Sequence, residues 1–469
     1  MKYVLVLIFS CFTMIYAEKM TVKDLESLKK SGTSEEKIFD QINENGIDFE
    51  LDESVHSQLM KSFSSDFLER LRFFGKNQEK MMAIASYSKA ITVNPKDWNA
   101  YHNRGNEYHD LKQYDRAIAD YTKAINLNSN SKNSYYNRGD IYSSLEKYNK
   151  AIADYSQVIK IDSSSADGYN NRGICYYYLK QYKKAIIEHS KAIEINSRDG
   201  YYYNNRGDCY RNLEKYDNAI VDYTKAIKVD PRDAYYYRNR GDLYSDLKKY
   251  VKAIADYNKS IEIDPDDADL YCNRGFAYQK LNEYNKAMTD YNKAIEVDSH
   301  DAYYFGKRGK CYSELRQYNK AIADYSTAIE MDSSDSYYYH SRGDCYLDLN
   351  KYNKAIADYN KALGIDSGNV FILSRRGLCY LYLKKYHKAI SDYNEVIRVS
   401  PTEVEYYNRG LCYHDLGQYS KAIADYTKAI KIKNDYASAY HNRGLCYSSL
   451  GQIGKARIDF QKNKELNNK

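Results

Sequence analysis

The chain has 469 residues, with 70 basic and 64 acidic side chains that are well mixed and leave a net charge of +6. It has neither a basic run nor an acidic tail, so nucleic acid and anionic membrane surfaces are poor partners. Tyrosine is heavily used, with 56 residues against 12 phenylalanines and a single tryptophan, Trp98. It packs like phenylalanine yet keeps a hydroxyl for water or a partner.

Lys2 is followed by an apolar run from Val4 to Tyr16, and Ala17 supplies a small residue before Glu18. A membrane-spanning helix needs roughly 18 or more apolar residues, so the run is too short to span and suits the core of an export signal. Residues 1–17 are therefore expected to be a signal peptide cut after Ala17. The mature chain would then be exported (periplasmic, envelope-associated or secreted) with no integral membrane span. A lipoprotein-type cut before Cys11 is the alternative; the apolar core continues past that cysteine, which argues against it.

Residues 18–63 show only a weak internal echo, LESLKKSGTSEEKIFDQI against VHSQLMKSFSSDFLERL. They are expected to form a small helical region covering the first apolar face of the region C-terminal to it. From Trp98 onward an arginine-glycine pair recurs eleven times, at Arg104, Arg138, Arg172, Arg206, Arg240, Arg274, Arg308, Arg342, Arg376, Arg409 and Arg443. Every interval is 34 residues except that from Arg376 to Arg409, which is 33. A unit of this length cannot bury its apolar face alone, so neighbours must stack.

Within the unit Gly168–Ser197, Tyr169, Arg172, Gly173 and Tyr176 recur at helical steps. After a break near Lys180 and Gln181, a second helix carries Ala185, Ile186, His189, Ala192 and Ile193. Pro95, Pro231, Pro265 and Pro401 all fall between units, where they interrupt no helix. Glycine follows the arginine in all eleven copies and alanine lies thirteen residues after it. A mid-helix glycine costs roughly 1 kcal/mol relative to alanine, so its recurrence implies close helix contact. The tyrosines from Tyr108 and Tyr142 through Tyr447 are expected to fill the space beside each glycine.

The period, the Gly-x-x-Tyr step, the Ala-x-x-x-aromatic step and the terminal proline resemble the tetratricopeptide repeat. The resemblance covers at least residues 98–469, eleven units, with arginine where leucine usually precedes the glycine. Residues 64–97 resemble a degenerate capping unit, with Phe67, Phe74, Ala83, Tyr87, Ala90 and Pro95 in matching places and Leu71 for the glycine. The fold this implies is all-α, a right-handed superhelical solenoid of stacked antiparallel helix pairs. Such a solenoid implies a binding protein rather than an enzyme. No nucleophile-base set, phosphate loop or metal-ligand spacing stands out, and no cofactor or metal is expected.

Sixteen residues after each arginine stands an acid, from Asp120 and Asp154 through Asp459, with Glu188 in the third copy. An ion-pair ladder holding hairpin register is expected. Seven cysteines three residues after the arginine (Cys175, Cys209, Cys311, Cys345, Cys379, Cys412 and Cys446) form another column. Stacked helices are about 8–10 Å apart and a disulfide reaches about 7 Å, so these read as buried packing thiols.

Asparagine precedes the arginine in eight copies: Asn103, Asn137, Asn171, Asn205, Asn239, Asn273, Asn408 and Asn442. An amide both donates and accepts, so a column of them suits the backbone of an extended peptide. Similar ladders line the groove of some superhelical members of the family, including the O-linked N-acetylglucosamine transferase. The same amide also suits local bonding or water, and both readings stand. The column breaks at Lys307, Ser341 and Arg375, which should divide the groove into two sections. Tyr201, Tyr235, Tyr303 and Tyr337 add an aromatic rail, and Leu378, Leu411 and Leu445 an apolar one. The paired basic residues with which some co-chaperones of the family grip a C-terminal carboxylate are missing. The expected function is a non-catalytic scaffold binding a protein or peptide segment along its groove. The alternative is a carbohydrate- or cell-wall-binding module using the tyrosines.

Overall fold

The computed structural model describes residues 19–45, 47 and 53–467. The expected signal segment, with Cys11 and Ala17, lies outside the described residues. Among the described residues there are 27 helices and no strand, only an isolated bridge between Met20 and Ile47. No helix among them is long and apolar enough to cross a membrane. They divide into two compact units, one ending at Pro231 and one beginning at Arg232.

The first unit opens with α1 (Val22–Lys30), α2 (Glu35–Asn45), α3 (Glu53–Leu59), α4 (Ser65–Lys76) and α5 (Gln78–Val93). Thr21 and Asp24 exchange bonds in a capping box that starts α1. Leu25, Ile38, Ile42, Leu59, Phe67, Leu71 and Phe74 gather into one core, so α4 shares its apolar interior with the segment before it. Phe39 meets both Phe67 and Phe74 edge-on at 6.0 and 6.1 Å. α5 then packs on the first repeat.

Four repeats complete this unit and seven make up the second. Each is an A helix of 13 residues and a B helix of 14, the last B helix running to 15. Aspartates at 199, 233, 267, 301 and 335 cap successive A helices by accepting a backbone N–H two residues on. The A helix ends on a left-handed residue eight after the arginine. Glycine takes that place only at Gly417 and Gly451; elsewhere a non-glycine residue such as Lys248 does, at φ 58°. The turn closes because the next amide, Lys249 N–H, bonds back to the Tyr244 carbonyl at 2.8 Å.

The contact between A and B helices corrects one expectation. The space beside each glycine is filled from the B helix, seventeen residues after the arginine, and not by the Tyr108 series. A Cβ built on Gly105 would lie 2.8 Å from the Tyr121 ring, and on Gly343 2.8 Å from that of Tyr359. The filling rings are fully buried at Tyr121, Tyr155, Tyr223, Tyr257, Tyr291, Tyr325, Tyr359, Tyr393 and Tyr426. Tyr108, three residues from Gly105 on the same helix, lies at the hairpin edge, where Arg116 covers its ring at 5.6 Å. Lys150 and Lys252 cover the equivalent Tyr142 and Tyr244.

The ion-pair ladder is present in all eleven repeats. Arg308 Nε donates to Asp324 Oδ2 at 2.8 Å and its Nη2 to Oδ1 at 2.7 Å, the two-point geometry repeated in ten copies. In the third copy Arg172 places both donors on one oxygen of Glu188. The remaining nitrogen does what the sequence did not announce. Within each unit it bonds a hydroxyl or amide on the B helix of the preceding repeat, as in Arg206 to Ser190, Arg274 to Asn258 and Arg376 to Asn360. Arg104 does the same to Ser88, so α5 serves the first repeat as a preceding B helix. One guanidinium thus ties three helices.

Candidate functional site

The asparagine before each arginine sits one helical step from this packed edge. Asn239 is buried and the other seven are half-buried. At least five point their amide nitrogen at the preceding repeat. Asn137 donates to Asn106 Oδ1 at 2.9 Å, Asn205 to Asn170 Oδ1 at 3.0 Å, Asn273 to Asp242 at 3.2 Å and Asn442 to the Tyr407 hydroxyl at 2.9 Å. Asn171 reaches Tyr136 and Asp140, and its oxygen accepts from Asn170. The oxygens of Asn137, Asn205, Asn273 and Asn442 carry no bond from the described residues. An amide whose nitrogen is tied down holds its oxygen in a fixed direction.

The residue two after the arginine completes this wall, a partnership that sequence spacing alone does not reveal. Asp140, Asp208, Asp242 and Asp344 each accept the hydroxyl of the buried ring that fills the glycine contact: Tyr155, Tyr223, Tyr257 and Tyr359, at 2.6–2.8 Å. Burial pushes the carboxyls of Asp140 and Asp344 above the usual range and that of Asp208 to about 6. One signal was available in advance: an acid recurring fifteen residues before a tyrosine.

The third repeat departs from the pattern. His189 replaces the buried tyrosine, with its ring against Gly173 and its Nδ1 3.0 Å from Asn170 Oδ1. Burial, with Arg206 nearby, pushes its pKa down to about 3 from an ordinary 6.5. Between those values the unfolded chain binds the proton and the folded one does not, so stability falls as pH drops through the window. Asp208 acts with the opposite sign. Its folded value near 6 against an ordinary 3.8 makes the folded chain take up its proton first, which adds stability as pH falls. A His189→Tyr chain should therefore gain on the parent steadily below pH 6.5. Denaturation midpoints of both chains across pH check this, and a constant difference would remove the histidine from the account.

The aromatic rail is uneven: Tyr201, Tyr235 and Tyr303 are exposed, whereas Tyr337 is half-buried between Tyr325 and His340. Leu378 and Leu411 are half-buried and Leu445 is exposed. The structure brings Leu378 and Asn408 together in a cleft of 350 Å³, with Phe371, Arg375 and Val404. It lies where the link between repeats, residues 400–402, is one residue shorter than its equivalents. The cysteines of the column, and Cys272, are buried free thiols. Burial raises the thiol pKa, to about 11 at Cys175 and about 12 at Cys209, which leaves them unreactive. Among the described residues no group of three or more His, Cys, Asp or Glu is placed to hold a metal ion.

Repeated helical hairpins that bury a shared apolar face in turn define an all-α repeat protein. Profiles described as TPR repeat match residues 105–146, 139–179, 241–282 and 410–451. Tetratricopeptide repeat profiles match five further units between 166 and 403, and others match 86–119, 222–255, 302–335 and 437–469. The chain belongs to the tetratricopeptide-repeat family, whose repeats serve as protein-interaction scaffolds.

Among solved structures, a tetratricopeptide repeat protein from Parabacteroides merdae is 21% identical over 53% of this chain and 98% of its own, with a TM-score of 0.42. YrrB, a repeat protein with an unusual peptide-binding site, is 24% identical over 42% of this chain and 97% of its own, at 0.35. Yeast Tom70 is 15% identical over 79% and 92%, also at 0.35. Comparison with curated proteins gives no match.

Proposed function

We propose that the chain is a non-catalytic scaffold that holds an extended polypeptide segment against the asparagine-bearing faces of its A helices, in an exported setting. The carrying observation is the tethered asparagine. With the nitrogens of Asn137 and Asn205 bonded to the wall, their oxygens are pre-oriented acceptors for backbone N–H groups of a ligand. Pre-orientation lowers the ordering cost of each bond. A column of such acceptors at the repeat spacing grips main chain and leaves sequence preference to its neighbours. Export rests on the apolar run Val4–Tyr16 and Ala17.

The test is selection from a displayed random-peptide library on the immobilised full chain, followed by anisotropy titration with an enriched peptide. Substituting Asn103, Asn137 and Asn205 together by alanine is expected to weaken binding by about tenfold or more, equivalent to about 1.4 kcal/mol. Helical circular dichroism should be retained. Undiminished affinity in the folded variant would refute the role of the column.

A further inference from the structure

Three consecutive repeats lack the asparagine, carrying Lys307, Ser341 and Arg375 in its place. Both cations lie over rings, and among the described residues only Arg375 also has an acid within ion-pair distance. Lys307 Nζ lies 4.6 Å from the centroid of Tyr303 and 5.5 Å from that of Phe276. No carboxylate of the described residues lies within ion-pair distance of it. The Arg375 guanidinium stacks 5.1 Å over Phe371. Among the described residues its one ion pair is with Asp344, with Nε 3.7 Å from an oxygen that already accepts the Tyr359 hydroxyl at 2.6 Å. By contrast, the repeat arginines hold their acids at 2.6–3.0 Å.

Between the two cations, His340 meets Tyr337 and Phe371 edge-on at 5.3 and 6.2 Å, and its buried Nδ1 has no partner among the described residues. Beyond Arg375 opens the cleft walled by Phe371, Leu378 and Val404. Glu405 also lines that cleft, but it is buried and its two oxygens are committed to Ser374 and Thr402.

We infer that this face of the seventh to ninth repeats recognises an acidic polypeptide segment carrying an apolar side chain beside one of its acids. The inference rests on the polypeptide-binding reading above and adds the chemistry of the ligand. A cation lying over a ring is already partly desolvated and positioned, so a carboxylate gains more from it than from a hydrated lysine. Lys307 and Arg375 stand two repeats apart. Two helix-packing steps of about 10 Å each are covered by about six residues of extended chain at about 3.4 Å per residue. The segment therefore presents two acids about six residues apart, with the apolar side chain next to the one on Arg375 and seated in the cleft.

The experiment uses the full chain and three labelled peptides of a common glycine-serine sequence. Each carries one leucine and two variable positions at that spacing, filled by aspartate, glutamine or lysine. The aspartate peptide is expected to bind about tenfold tighter than the lysine peptide, a difference of about 1.4 kcal/mol, and to weaken with added salt. In a Lys307→Asn/Arg375→Asn chain the preference should vanish. Both changes install the residue that eight other repeats carry there, so folding is retained, with the melting curve as control. Equal binding of all three peptides, or a preference that survives the double substitution, overturns the acidic reading and leaves the scaffold reading standing. No binding of any peptide counts against both.

Discussion

Replacing Asp324 with alanine is expected to remove about 3 kcal/mol of stability from the repeats around it, at the lower end of the range for breaking a buried pair. The Asp324 side chain is 8% exposed and that of Arg308 is 20%, so water cannot replace the lost carboxylate freely. The guanidinium keeps its bond to Asn292 but loses both donors into Asp324. The acid is what holds that guanidinium above its ordinary pKa against the opposing effect of burial. Stability in a repeat array is a sum of unit and neighbour terms, so the loss should be local. Amide exchange should quicken most in the seventh repeat and its neighbours. The double replacement Arg308→Met/Asp324→Leu should recover all but about 1 kcal/mol, because removing both charges leaves neither desolvated alone. Chemical denaturation and exchange of the three chains decide it. A single-site loss near zero would mean that solvent screens the pair.

The second large effect is expected at Tyr359. Its ring is fully buried and occupies the space that a side chain on Gly343 would need. Tyr359→Ala should cost about 3–5 kcal/mol, as for other buried aromatic truncations. Tyr359→Phe keeps the ring and loses only the hydroxyl bond to Asp344, at a cost of about 1–2 kcal/mol. That bond holds the Asp344 carboxyl down against burial, so the phenylalanine chain should also show a higher Asp344 pKa. Equal losses for the two substitutions would show that the hydroxyl, and not the packed ring, carries the contact.

Much of the architecture was legible because its causes are local. Helix periodicity, prolines between units and the arginine-to-acid spacing all concern residues within one hairpin, where bond geometry leaves few arrangements. The ion-pair ladder was readable for that reason. The glycine contact was half readable. Gly105 announced a close approach, but both Tyr108 and Tyr121 lay at plausible helical steps, and only the way the B helix crosses the A helix selects Tyr121. The candidate site was readable as columns of residue types and not as directions. Asn171 and Asn205 occupy equivalent places, yet the first has its oxygen engaged by Asn170 and the second does not.

The sequence by itself determined the period, the two helices per unit, the place of each corner and the pairing of Arg308 with Asp324 and its equivalents. Only the tertiary structure decided which neighbour each side chain meets across repeats. That includes, within each unit, the reach of the arginines to the preceding B helix, the tethering of Asn137 and Asn205, and the cleft between Leu378 and Asn408. The reason is physical. Contacts within a hairpin follow from the rise and twist of a single helix. Contacts between hairpins depend on how one unit is rotated against the next, which is set by the summed packing of many side chains and by no single spacing.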